Sequence, residues 1–127
     1  MIDVPSALVA DLERVATLLR TTPANRLAAP LSGPFASRVE AGRALARTLA
    51  IAAQGIEDAE RPVMPAWRTL PLLADLAVGD QVRVLGHDLV AALAGAPDAV
   101  WTPEGRAPVD DLLRDVIVAT TAVTSFL

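Results

Sequence analysis

FASRVEAGRALARTLAIAAQGIEDAE, residues 35–60, is the stretch on which the reading of the fold turns. Steps of alternately three and four residues land on Phe35, Val39, Gly42, Ala46, Leu49, Ala53 and Ile56. That spacing marks one face of an α-helix, sustained over roughly six turns. Leu45 and Ala52 widen the apolar arc to about half the circumference. What is left is a narrow polar stripe of Glu40, Arg43, Arg47, Gln54 and Asp58. A helix this one-sided needs more than one neighbour to cover it, which predicts the central helix of a bundle.

Outward from that helix, Leu8, Leu12, Val15 and Leu19 predict a helix over 6–21, capped by Asp3 or Ser6 and ended by Pro23. A third helix is expected over 72–96, with Pro71 near its start. Val78, Val82, Leu85, Leu89, Ala92 and Ala96 hold helical spacing there. Within it, residues 76–86 also alternate well enough to pass for a strand. Helix is preferred, with an irregularity at Gly79 and Asp80, where Asp80 would cap a second segment. A fourth helix is expected over 108–127, with Pro108 first, Asp110 and Asp111 in the opening turn, and a face of Val109, Leu113, Val116, Thr120, Val123 and Leu127. Three connectors, 23–34, 61–71 and 97–108, each hold three prolines and predict extended crossovers against the helices. The fold expected is all-α: a single-domain four-helix bundle over 1–127 with long proline-containing connectors.

Composition sets further bounds. In 127 residues, 53% are hydrophobic but only 3% aromatic, so the core must be Leu, Val, Ile and Ala. Such small side chains bury little area each, which predicts that partner subunits supply part of the burial. All 11 basic residues are arginine, a usage that matches the codon bias of a high-GC bacterial genome. A net charge of −4 argues against nucleic-acid or anionic-membrane binding, since both require a basic surface. No cysteine rules out a disulfide framework and thiolate-ligated metal. The opening MIDVPS lacks a basic signal-peptide region, and the longest uncharged run, 116–127, is too short to cross a bilayer. A cytoplasmic protein is expected.

Candidate chemistry is sparse. His87 and Asp88 are adjacent, but His87 falls nearly opposite the apolar face of its helix and reads as a surface histidine. Glu57, Asp58 and Glu60 crowd a helix C-terminus, where the dipole disfavours them. They are the one weak candidate for an oxygen-ligated Mg²⁺ or Ca²⁺; otherwise no metal and no cofactor is expected. Arg43 and Arg47, a turn apart, have the spacing to hold a carboxylate or phosphate between them, or simply to form a wet stripe. Trp67 and Trp101 lie in connectors and read as end caps of the bundle. Trp67 with Arg68 is the best candidate for ligand or partner contact. No glycine-rich phosphate loop or nucleophile elbow occurs, so no catalytic residue is assigned. Val116, Val118, Val123 and Phe126, in the uncharged tail, are the candidate oligomer interface. The expected function is a helical assembly or regulatory module acting as a homo-oligomer or with another protein. The alternatives are a small-molecule binder with a cavity near the tryptophan connectors, or an enzyme whose Arg, His and acidic residues converge from different helices.

Overall fold

The computed structural model describes residues 2–127. Helix accounts for 63% of the chain. Four long helices, α1 (Ser6–Thr21), α3 (Arg38–Glu57), α4 (Val78–Ala94) and α5 (Val109–Phe126), are joined by a short α2 (Ala24–Ala28) and an antiparallel hairpin, β1 (Ala99–Thr102) with β2 (Gly105–Pro108). Among the described residues no helix is long and apolar enough to cross a membrane.

The central helix begins later than the apolar spacing suggests. Ser37 is its N-cap, accepting a hydrogen bond from Glu40 N at 3.2 Å. The sequence Ser37-x-x-Glu40 is the capping-box pattern, and it marks the start more sharply than the hydrophobic run does. Phe35 therefore lies outside α3 and packs edge-on against Phe126, ring centroids 5.2 Å apart. Inside α3 the spacing holds: Val39, Gly42, Ala46, Leu49, Ala53 and Ile56 are all buried. The helix lies chiefly against α4 and then α5, while α1 packs on α4. Leu19, Leu45, Leu49, Leu89 and Leu93 fill the interior with Val15, Val78, Val82, Val116 and Val123.

Small residues set the helix spacing. A Cβ at Gly42 would stand 2.7 Å from Leu19 and 3.0 Å from Val78, and one at Gly79 would meet the Ala16 carbonyl oxygen at 2.8 Å. Both glycines sit where α4 crosses its neighbours; a methyl group at Gly79 would meet α1 backbone and force the helices apart, while one at Gly42 would displace the Leu19 and Val78 side chains.

Several expectations are corrected. The third helix does not start at 72: Leu72 and Leu73 are in irregular chain, followed by a 3₁₀ turn at Asp75–Ala77, and α4 opens at Val78. The preference for helix over strand holds for residues 78–86, but Asp80 does not cap; it pairs with Arg20 of α1 at 3.0 Å. Connector 97–108 is not an open crossover but the hairpin, with Val100 opposite Ala107 and Trp101 opposite Arg106. The β-forming Val100, Trp101 and Thr102 before a Pro-Glu-Gly turn were its signal, and Gly105 takes the positive φ (122°) the turn demands. α2 is likewise an element within connector 23–34. Neither Asp3 nor Ser6 caps α1, whose N-cap is Pro5.

Candidate functional site

Arg43 and Arg47 project from successive turns of α3 along the side where residues 61–74 return towards α4. That segment is a strap held at two points. Near its start Gln54, only 5% exposed, donates to the Ala66 carbonyl and accepts from Arg68 N, both at 2.9 Å. One amide side chain thus pairs with the backbone on either side of Trp67 as a neighbouring strand would. At the far end Arg43 donates to the Leu73 carbonyl (3.0 Å) and to the Asp75 carboxylate (2.7 Å), and its other nitrogen pairs with Glu40 at 2.7 Å. Its side chain is 14% exposed. Burial pulls the guanidinium down, but hydrogen bonds to Asp75 and Glu40, with their negative charges, outweigh it and leave the pKa above its ordinary value. Arg43 is therefore a fixed charge and a structural rivet.

Between these two points the strap arches over a cleft of about 380 Å³. Arg43, Arg47 and Ile51 form one side, Trp67, Arg68 and Leu70 the other, and Gln81 reaches in from α4. Three arginines line the cleft and no acidic residue does. Arg47 makes no ion pair among the described residues, and Arg68 is tied only to Glu57, at 3.1 Å on the exposed rim. The indole N–H of Trp67 is buried without an acceptor among the described residues. Guanidinium groups grip planar anions in bidentate fashion and stay protonated at any physiological pH. Of the three arginines, Arg47 alone has no carboxylate partner among the described residues, and the lining of the cleft carries no imidazole or carboxylate with which to move a proton.

Four residues singled out from the sequence, Arg43, Arg47, Trp67 and Arg68, therefore share one cleft. The others lie elsewhere. Trp101 closes the C-terminal end of α3: its indole donates to the Arg61 carbonyl at 3.1 Å, and the Arg106 guanidinium sits 5.0 Å over its ring while bonding the Ala59 carbonyl. His87 is on the surface between α4 and α1, with Nε2 2.9 Å from Glu13, which also pairs with Arg83. Replacing His87 with alanine should change stability by less than about 1 kcal/mol, as for other exposed polar side-chain pairs; thermal unfolding checks it, and a larger loss would give that contact a structural role. Glu57 faces Arg68, Asp58 accepts from Gln54 at 3.3 Å, and no three acidic or histidine side chains among the described residues are grouped to hold a metal. Val116 and Val123 are buried within the same chain, Phe126 is half-buried against Phe35, and Val118 alone of the four is well exposed, at 63%.

Sequence reasoning missed Gln54 and Gly55. Gln54 reads as part of the wet stripe, yet it is the strap's anchor. A Cβ on Gly55 would lie 2.0 Å from the Trp101 carbonyl oxygen and 3.7 Å from the Trp67 ring. Strap and hairpin thus dock on adjacent residues of α3, and nothing in the local sequence distinguishes either position. Compared with known proteins, the chain matches no protein family, no curated protein and no solved structure.

Proposed function

We propose that the protein is a binding module for a small anion, taken up in the cleft between α3 and the strap. The observation that carries this is Arg47, a guanidinium without an ion pair among the described residues, in a cleft whose lining holds no acid; Arg43 and Arg68 also line it but are already paired with Glu40, Asp75 and Glu57. An uncompensated guanidinium in a concave site is a ready partner for an anion. Binding rather than catalysis is supported, because the lining offers charge and shape but no acid–base pair. The setting envisaged is cytoplasmic, in a chain without cysteine, and the scaffold is read as a four-helix bundle carrying an added hairpin.

Differential scanning fluorimetry with inorganic phosphate, pyrophosphate and citrate tests the proposal. At a hundredfold excess over Kd a bound anion stabilises by about 2.7 kcal/mol, or about 8 °C in Tm for a domain of this size. Arg47→Glu, at an exposed position without an ion pair, should abolish that rise while leaving the unliganded Tm within about 2 °C. Equal shifts in wild type and variant, or none with any anion, would reject the site.

A second reading, self-assembly, is favoured by one observation. Leu72 (85% exposed) and Val84 (58%) leave large apolar side chains in water beside the strap, with Leu76 also exposed. Light scattering at micromolar concentrations decides it: a dimer dispersed by Leu72→Asp supports a homo-oligomer, and a monomer throughout rejects it.

A further inference from the structure

The arginine cleft is not a closed cup. Leu70, Pro71 and Gln81, which form part of its wall, also border a second, shallower groove of about 420 Å³ between the strap and α4. The two concavities share these wall residues but are opposite in chemistry. All three arginines face the first. The second is lined by Leu70, Pro71, Leu73, Val84 and Leu85, with Asp80 as its one charged residue, and Arg20 already pairs with Asp80 at 3.0 Å. A cleft holding the unpaired guanidinium of Arg47, set against an apolar trough with which it shares a wall, is the surface complement of a molecule with an anionic head and a hydrocarbon tail.

Resting on the anion reading of the cleft, we propose that its ligand is a single-chain amphiphilic carboxylate of the medium-chain fatty-acid type. The headgroup is held by Arg47 and Arg68, whose guanidinium groups are not committed to the fold as that of Arg43 is. The chain crosses beside Leu70 and Pro71 and lies along Leu73 and Val84. From Ala77 to Leu85 the trough follows about 12 Å of helix, which accommodates a medium rather than a long chain. The exposure of Val84 is then the unfilled half of a contact, and the tail removes that surface from water. A hydrophilic anion such as citrate or a sugar phosphate satisfies the arginines but leaves the trough uncovered.

The test is isothermal titration of the whole chain with acetate, hexanoate, octanoate and decanoate below their micelle concentrations. Octyl glucoside serves as an uncharged amphiphile, and phosphatidylglycerol–phosphatidylcholine vesicles as a bilayer source of anionic lipid. Affinity should rise about two- to fourfold for each methylene added beyond hexanoate, and octyl glucoside should bind at least tenfold more weakly than octanoate. Arg47→Glu should remove binding of every alkanoate. Val84→Asp should flatten the chain-length series beyond hexanoate. Val84→Ser, a milder change at the same exposed helix position, should weaken the series in the same direction, and thermal melts confirm that both variants fold. Phosphate and alkanoates binding alike, with no gain from chain length, would overturn the amphiphile and leave the anion site standing. No binding by any anion would overturn both. Octyl glucoside binding as tightly as octanoate and unaffected by Arg47→Glu would overturn the role of the arginines. Binding to vesicles without binding to monomeric decanoate, or a dimer in which Val84 is covered, would each give the trough a different occupant and overturn the proposal.

Discussion

Gly55→Ala is expected to cost about 3 kcal/mol or more, and to loosen the hairpin rather than the helices. The added methyl would lie 2.0 Å from the Trp101 carbonyl oxygen, a backbone atom of β1 with no rotamer through which to retreat. Relief requires β1 to lift away from α3, which weakens the Trp101 bond to the Arg61 carbonyl and withdraws Val100 from the core. Overpacking against backbone belongs to the short list of changes with effects of this size. Urea unfolding followed by tryptophan fluorescence measures it. Gly95→Ala is the control: no heavy atom lies within 4 Å of the Cβ position and the backbone there is ordinary, with φ −114°, so stability should be unchanged or slightly raised. If Gly55→Ala unfolds at the same urea concentration as wild type, the hairpin is not seated on α3 as described.

Gln54→Met should release the strap. Methionine nearly fills the same volume, so the change deletes the two 2.9 Å hydrogen bonds to Ala66 and Arg68, and the longer one to Asp58, without opening a cavity. It leaves a backbone carbonyl and a backbone N–H to find water or remain unpaired, at a cost of about 2–4 kcal/mol for the two together. The effect should be local. Limited proteolysis is expected to cut within 61–73 at least tenfold faster than in wild type, and anion affinity should fall with it, because Trp67 and Arg68 form the strap side of the cleft. The Arg43 anchor at Leu73 and Asp75 should keep the far end in place, so α4 should melt with the rest of the chain. Unchanged proteolysis with a uniform loss of stability would mean that Gln54 is merely a buried polar residue and not a clamp.

These two adjacent residues explain why the site was only half legible. Arg43, Arg47, Trp67 and Arg68 were recognisable because arginine and tryptophan are conspicuous in a chain with few aromatics, and because the two helical arginines lie a turn apart. Their convergence was not recognisable. It depends on where residues 61–74 turn back, and that is decided by Gln54 and Arg43 bonding to strap carbonyls and amides with no sequence signature of their own. Reading Gln54 as a wet residue followed correctly from its place on the polar stripe. The stripe is dry at that point only because another segment lies on it.

The apolar periodicity of residues 39–56 determined the central helix and its buried face without help, since a 3.6-residue repeat of Leu, Ala and Ile has few other ways to leave water. The same holds for 6–21 and 109–126, where apolar spacing and prolines bracket the elements. Tertiary structure alone decided how the proline-rich segments settle: one as a strap over α3, one as a hairpin across its end. Such segments have little intrinsic preference, because proline removes donors and short strands gain stability only when paired and packed. Their conformation therefore follows the surface they dock against, and with it the cleft that three arginines share.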